Sequence, residues 1–171
     1  MRLRLALALG CAALTAPALG EDSAAPVLVA SETRYFPKDD LADFTLETAV
    51  AEARESGRYA VVVFGADWCH DSRALARVLS SDGFASRFGS RFTVTFIDVG
   101  KPQTGQGRNL ELLRDLGVAN LRSTPAMFVL SGIGKPLNSR KDALGWRNAE
   151  KRGEGKTLAW FAAFLKAHDR R

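Results

Sequence analysis

The sequence predicts an α/β protein in three layers, with a mixed central sheet and helices on both faces. Runs of β-branched residues alternate with segments of helical periodicity through the first half of the chain, which is typical of parallel strands joined by helical crossovers. A Ser-Gly-Ile-Gly turn signal at 131–134 follows a third apolar run and predicts an antiparallel edge strand. With 46% hydrophobic residues in 171, the chain can form one sizeable core.

The first twenty residues have the order of a secretory signal peptide. Two arginines precede an apolar run over residues 5–14, and Ala18-Leu19-Gly20 then supplies small residues. The run is too short to cross a bilayer, which takes about 20 apolar residues. We therefore expect residues 1–20 to be removed before Glu21, and the protein to be periplasmic or secreted.

A lipid anchor is the alternative for this segment. Ala8-Leu9-Gly10-Cys11 resembles a lipobox, in which Cys11 would be acylated and kept, so that the protein would be membrane-anchored. Cys69 is the only other cysteine, and a cleaved chain would hold it alone in an oxidising compartment. A lone thiol in an exported protein indicates reactivity or pairing with another molecule.

Charge gives little information about partners. The formal net charge is +5, with 24 basic and 19 acidic residues mixed along the chain, which does not favour nucleic-acid binding. One basic cluster stands out in a polar, glycine-containing segment, and it consists of Arg140, Lys141, Arg147, Lys151 and Arg152. We expect a solvated loop there, with docking of a partner as the alternative.

The elements follow in order after a flexible lead-in at 21–40, with the folded domain over 41–171. Asp43 or Thr45 can cap a first helix, which Gly57 ends, and residues 59–64 form a buried strand. A helix begins after Cys69 and ends at the Ser-Asp-Gly of 81–83. The apolar faces of these two helices are formed by Leu46, Ala49, Val50 and Ala53, and by Leu75, Val78 and Leu79.

The second half continues the alternation. Residues 92–99 form a strand, 101–108 a polar loop, and Asn109 can cap a helix that Gly117 closes. Residues 126–130 form the third strand. The segment 138–155 is predicted to be an exposed loop, and Thr157 to open the last helix, whose apolar face is Leu158, Phe161 and Leu165.

Cys69 stands where the first buried strand passes into a helix. A thiol at a helix N-terminus faces unpaired backbone N–H groups and the positive end of the dipole, which favour the thiolate. A protonated His70 would add to this effect, and Asp67 and Asp71 would oppose it. The alternative is that Cys69 is simply a small buried hydrophobe, since cysteine is common in cores.

At this point the sequence resembles the thioredoxin family. Phe64-Gly65-Ala66-Asp67-Trp68-Cys69 is similar to the segment that leads into the family's Cys-x-x-Cys, and Ser123-Thr124-Pro125 is similar to its cis-proline loop. Ile97-Asp98-Val99 and the turn at Gly132 also fall in order, so the resemblance covers about 41–167. It implies a thioredoxin-like three-layer sandwich.

The resemblance also implies roles for the residues of the site. Cys69 would be the nucleophile, and Ser72 stands where the family has its resolving cysteine. Substrate would dock on Trp68 as a groove wall, on the backbone of Thr124 and Pro125, and beside the turn residues His70 and Asp71. Cys69, His70 and Asp71 are adjacent and too few to hold zinc, so we expect no metal and no cofactor.

Two departures from the family pattern shape the functional hypothesis. Ser72 cannot resolve a mixed disulfide, and Val63 replaces the buried acid of thioredoxins proper, so a general disulfide reductase is not expected. We expect an exported monothiol protein that acts in thiol–disulfide exchange through Cys69, by forming mixed disulfides, isomerising disulfides or removing thiol adducts. Its partners would be protein disulfides or thiols and an external thiol. The rival hypothesis is a non-catalytic binding module, or chaperone-like client binder, that uses the same groove.

Overall fold

The computed structural model describes residues 33–38 and 41–169. The predicted signal peptide, the acylation of Cys11 and most of the lead-in lie outside these residues. The elements are α1 (Ala42–Ser56), β1 (Tyr59–Gly65), α2 (His70–Leu79), α3 (Asp82–Phe88), β2 (Phe92–Asp98), β3 (Gly100–Lys101), β4 (Gln106–Gly107), α4 (Leu110–Asp115), β5 (Ala126–Leu130), α5 (Arg140–Ala143) and α6 (Ala149–His168). Short 3₁₀ turns occupy Pro102–Thr104 and Leu144–Trp146.

A mixed three-stranded sheet forms the centre of the fold, with the strand order β2-β1-β5. β1 pairs with β2 in parallel and with β5 antiparallel, so that Val63 lies between Phe96 and Met127. A parallel pair requires a crossover connection, which α2 and α3 supply. This sheet and its helices confirm the predicted fold class.

Two hydrophobic clusters cover the two faces of the sheet. Alternate residues of a strand point to opposite faces, so β1 contributes Val61 and Val63 to one cluster and Val62 and Phe64 to the other. The first cluster joins the sheet to α2, α3 and α6, for example through Leu75, Phe84 and Phe161. The second joins it to α1, α4 and α5, for example through Ala49, Leu113 and Ala143. The helices on both faces give the predicted three layers.

The predicted side-chain caps of two helices are not formed, although Asn109 does occupy the N-cap position of α4. α1 begins one residue before Asp43, and its N-cap, Leu41, makes no side-chain capping bond. Asn109 precedes α4 in a left-handed conformation, but its side-chain amide donates to Asp98 O at 2.8 Å instead of capping the helix. The predicted ends hold, because Gly57 and Gly117 both adopt the positive φ that favours glycine after a helix.

Helix α3 was not predicted from the sequence. The Ser-Asp-Gly at 81–83, interpreted as the end of α2, also begins a new helix, since Ser81 Oγ accepts from Phe84 N at 3.2 Å. α3 then buries Phe84 and Phe88 beneath the sheet, where both rings pack against Phe92 and Phe161.

The prediction of an exposed loop at 138–155 is also wrong. Ser139 caps α5 by accepting from Asp142 N at 3.1 Å, and α6 begins at Ala149 rather than at Thr157. Trp146 is 1% exposed and packs edge-on against Trp160, with ring centroids 5.2 Å apart. Gly153 breaks the helical geometry of α6 with φ 71°, so the sequence signal near Thr157 marks a second start within the same element.

The predicted edge strand is reduced to a single bridge between Leu130 and Pro136, since proline cannot donate to a ladder. The turn at 131–134 is present, with Gly134 N donating to Ser131 O at 2.9 Å. Within the described residues, none of the helices combines the length and apolar character needed to cross a membrane.

Candidate active site

The turn between β1 and α2 places Cys69 as the N-cap of a ten-residue helix. Its backbone is extended, with φ −90° and ψ 117°, and its carbonyl accepts from Arg73 N at 3.1 Å. The thiol is free and partly exposed, so the alternative of a small buried hydrophobe does not describe it. The first amide groups of α2 therefore lie next to a free, partly exposed cysteine.

Cys69 meets the cis-proline loop across the site. Its Sγ lies 3.6 Å from Thr124 O, and the Thr124–Pro125 peptide bond is cis. Thr124 is 4% exposed, and its hydroxyl finds no hydrogen-bond partner among the described residues. The fold thus brings together two segments that are 55 residues apart in sequence, which the resemblance alone had associated.

Ser72 lies one helical turn beyond Cys69 and is fully buried. Its Oγ has no hydrogen-bond partner within the part of the chain that the structure describes, Cys69 included. Gly65 leaves room for this side chain, because a Cβ there would come within 2.8 Å of Ser72 Oγ and of the Phe36 ring. Ser72 is therefore a packed residue, and its hydroxyl is not exposed to solvent.

Trp68 is half-exposed beside the thiol and is fixed at one end. Its Nε1 donates to Gly100 O at 2.8 Å, which ties the indole to the β3–β4 hairpin. Asp67, just before it, accepts from Tyr35 N at 2.9 Å and from Phe36 N at 3.4 Å. The turn before Cys69 is thus held from both sides, by contacts that sequence reasoning did not identify.

His70 and Asp71 lie on the first turn of α2 and face the start of α6. Asp71 Oδ1 accepts from Glu150 N at 3.0 Å, so this carboxylate satisfies a free amide at the start of α6. The His70 ring is exposed, with Nδ1 3.9 Å from Asp71 Oδ2 and Nε2 3.8 Å from Glu150 Oε2. Asp71 therefore has a structural contact that its predicted substrate-binding role does not explain.

A buried carboxylate supports the hairpin that holds Trp68. Asp98 is 2% exposed, and its Oδ2 lies 3.2 Å from Arg108 Nε. Burial raises the pKa of Asp98 above its ordinary value, while the charge of Arg108 and a hydrogen bond from the Gly100 backbone act in the opposite direction. Sequence reasoning placed Asp98 within a family motif but did not identify its partner.

No group of three or more possible metal ligands comes together in the described part of the chain. A thiol at a helix N-terminus, opposite the carbonyl that precedes a cis-proline, can attack a disulfide presented along that loop.

In this mixed sheet, β1 leads into a turn that bears a cysteine, and the cysteine lies opposite a cis-proline. This arrangement defines a thioredoxin-like protein. A sequence model of the family described as thioredoxin-like matches residues 40–132, more than half of the 171 residues, and the chain belongs to this family. Among solved structures it is similar to a disulphide isomerase from Xylella fastidiosa Temecula1. The identity is 27%, the match covers 79% of this chain and 99% of the other, and the TM-score is 0.69. No curated protein matches the sequence.

Proposed function

We propose that this protein is an exported monothiol member of the family that carries out thiol–disulfide exchange through Cys69. The observation that carries the proposal is the partly exposed Cys69 thiol at the start of α2, 3.6 Å from the carbonyl that precedes the cis-proline. The family and the solved disulphide isomerase support thiol–disulfide chemistry as the general class.

The exchange step transfers no net electrons. The Cys69 thiolate attacks one sulfur of a client disulfide, a new S–S bond forms at Cys69, and the other sulfur leaves as a thiolate. Ser72 carries no thiol, so an external thiolate must attack the mixed disulfide to regenerate Cys69. Isomerisation, or removal of a small thiol adduct with electrons from an external thiol, fits this single-cysteine cycle better than net oxidation or reduction by the protein's own dithiol–disulfide pair.

Export is the second part of the proposal and rests on the arginine-apolar-small order of residues 1–20. An oxidising compartment supplies disulfides and adducted cysteines as substrates. A mature chain with Cys69 alone would enter such a compartment unable to close an internal disulfide on itself.

Trapping tests the proposal directly. Reduced protein is mixed with a peptide disulfide, quenched with acid and weighed intact, and we expect a covalent adduct at Cys69 that disappears when an external thiol is added. Cys69→Ser serves as the control and should form no adduct. Should the wild type form none, or should Cys69 react with iodoacetamide only in denaturant, the binding-module rival would replace this proposal.

A further inference from the structure

A basic cleft lies directly beside the cis-proline loop. Its volume is about 380 Å³, within the range of roughly 300–1,000 Å³ that is usual for small-molecule sites. Its walls come from the segment before Thr124 and from the helical segment after β5, and they include Val118, Arg122, Ser123, Arg140, Leu144 and Arg147.

Three arginines line this cleft, and no acidic residue does. Arg140 Nη1 donates to Gly117 O at 3.3 Å, which fixes that side chain on the cleft wall. Arg122 and Arg147 are exposed and form no ion pair with any described residue. An array of guanidinium groups favours planar oxyanions, because each can donate paired hydrogen bonds to a carboxylate.

The cleft begins next to the residue that contacts the reactive sulfur. Ser123 forms part of its wall, and the next residue, Thr124, contacts Cys69 Sγ through its carbonyl. Consecutive Cα atoms lie about 3.8 Å apart, so the cleft wall at Ser123 begins one residue from Thr124, the residue that contacts the Cys69 thiol. A molecule attached to Cys69 through sulfur could therefore extend along the loop and place anionic groups between the arginines.

From this arrangement, and resting on the proposed function, the geometry points to a binding site for a small carboxylate-bearing thiol. The site holds this thiol as one half of a mixed disulfide with Cys69. The small volume favours such a molecule over an acidic polypeptide, and the unpaired arginines favour it over a neutral or cationic thiol.

The chemistry balances with one named co-reactant. Cys69 attacks the adduct sulfur of a client disulfide, the S–S bond of the client breaks, and the client leaves as a thiolate. A second anionic thiolate then attacks the adduct on Cys69, which forms a small-molecule disulfide and restores the Cys69 thiolate. The second thiol supplies the electrons that reduce the client.

Paired probes test the charge requirement. Glutathione disulfide carries carboxylates, and its fully methyl-esterified form lacks them but keeps the same backbone. The rate constant for adduct formation at Cys69 is measured by intact mass for both probes at low salt. The measured quantity is the rate constant with glutathione disulfide divided by that with its methyl ester. We expect Arg122→Gln combined with Arg147→Gln to lower this ratio about tenfold or more, which corresponds to about 1.4 kcal/mol or more of lost charge-assisted bonding.

The control removes the same type of charge elsewhere. Arg87 is exposed on α3 and does not line the cleft, so Arg87→Gln should leave the ratio unchanged. Circular dichroism and the thermal midpoint show whether each variant is folded. Arg122→Lys in place of Arg122→Gln should restore only part of the preference for the carboxylate-bearing probe, since lysine lacks the planar fork of the guanidinium group.

The outcomes separate this inference from the proposed function. If Cys69 reacts with both probes and no arginine variant changes their ratio, the cleft does not select carboxylates and this inference is wrong, while thiol exchange stands. If Cys69 reacts with neither probe, the proposed function fails first. A third arm uses a disulfide-bonded peptide with aspartates beside its cysteine, and its asparagine counterpart. If the arginine variants change only the preference for the aspartate peptide over the asparagine peptide, the cleft is a client-docking surface and this inference is wrong.

Discussion

Ser72 determines whether the site can release its own adduct. It is buried one turn from Cys69, where the family resemblance places the resolving cysteine. Ser72→Cys would supply a second thiol at high effective concentration, so we expect the variant to release a trapped peptide without added thiol. Adduct decay, followed by intact mass in thiol-free buffer, measures this. Val63 still leaves the site without a buried base, so release should be slow.

The controls for this prediction use the same assay. Cys69→Ser should abolish trapping with either residue at position 72. The monothiol mechanism is contradicted if wild-type protein releases its adduct unaided. If neither the wild type nor Ser72→Cys forms an adduct, the turn is not a redox site.

Removal of the Ser72 hydroxyl should also change the free energy of unfolding. Its Oγ is buried and lacks a partner among the described residues, and an unsatisfied buried hydroxyl costs about 1–3 kcal/mol. Ser72→Ala should therefore raise the free energy of unfolding by about 1 kcal/mol, measured by urea denaturation in a reducing buffer. Ser86→Ala, at an exposed site on α3 where only a solvent-exposed hydrogen bond to Gly83 O at 3.3 Å is lost, corrects for the higher helix propensity of alanine. A loss of stability in Ser72→Ala beyond that control would show that the hydroxyl has a partner.

At the scale of elements, the β3–β4 hairpin connects the site to an ion pair between a buried carboxylate and a partly exposed arginine. Asp98 at the end of β2 pairs with Arg108 just after β4, and Trp68 donates to Gly100 at the start of β3. Arg108→Gln leaves the buried carboxylate without its charged partner. Because Arg108 is partly exposed, we expect a loss of only about 1–2 kcal/mol in unfolding free energy at neutral pH.

The loss caused by Arg108→Gln should depend on pH. Burial raises the pKa of Asp98 in the folded protein, so this group's contribution to stability is full below its unfolded pKa and falls as pH rises through the folded pKa. Arg108 stabilises only the ionised form. The difference between wild type and variant should therefore shrink on acidification as Asp98 becomes protonated. Arg114→Gln, on the exposed side of α4, should show little loss at any pH, and a pH-independent loss in Arg108→Gln would contradict the ion-pair account.

The elements that could be predicted are those whose signal lies within the element itself. β1 and β5 are continuous apolar runs, and Gly57 and Gly117 end helices through their own backbone conformation. α3 has only seven residues and begins within the Ser-Asp-Gly of 81–83, which by itself indicates a turn. The segment at 138–155 has a polar sequence, and contacts with distant elements stabilise its helices, such as the hydrogen bond from Glu150 N to Asp71 Oδ1 on α2.

At the scale of the whole molecule, the same distinction applies to the site. Cys69 and Thr124 could be associated in advance, because the family resemblance includes both of their motifs. The convergence of Arg122 with Arg140 and Arg147 could not be predicted from the sequence. These arginines come from two segments that meet only when the chain folds around β5. The engagement of Asp71 with α6 also depends on the tertiary fold.

The first twenty residues predict the compartment in which the whole chain works. The arginine-apolar-small order of residues 1–20 predicts cleavage before Glu21, so protein expressed with its native leader should be recovered outside the cytoplasm with an intact mass that begins at Glu21. Cys11→Ala is the matched control, because it prevents acylation and leaves the small residues before Glu21 unchanged. Equal processing of the two proteins supports a soluble exported form. A diacylated mass that begins at Cys11, lost in Cys11→Ala, would establish a membrane anchor instead, and an unprocessed cytoplasmic chain would contradict export altogether.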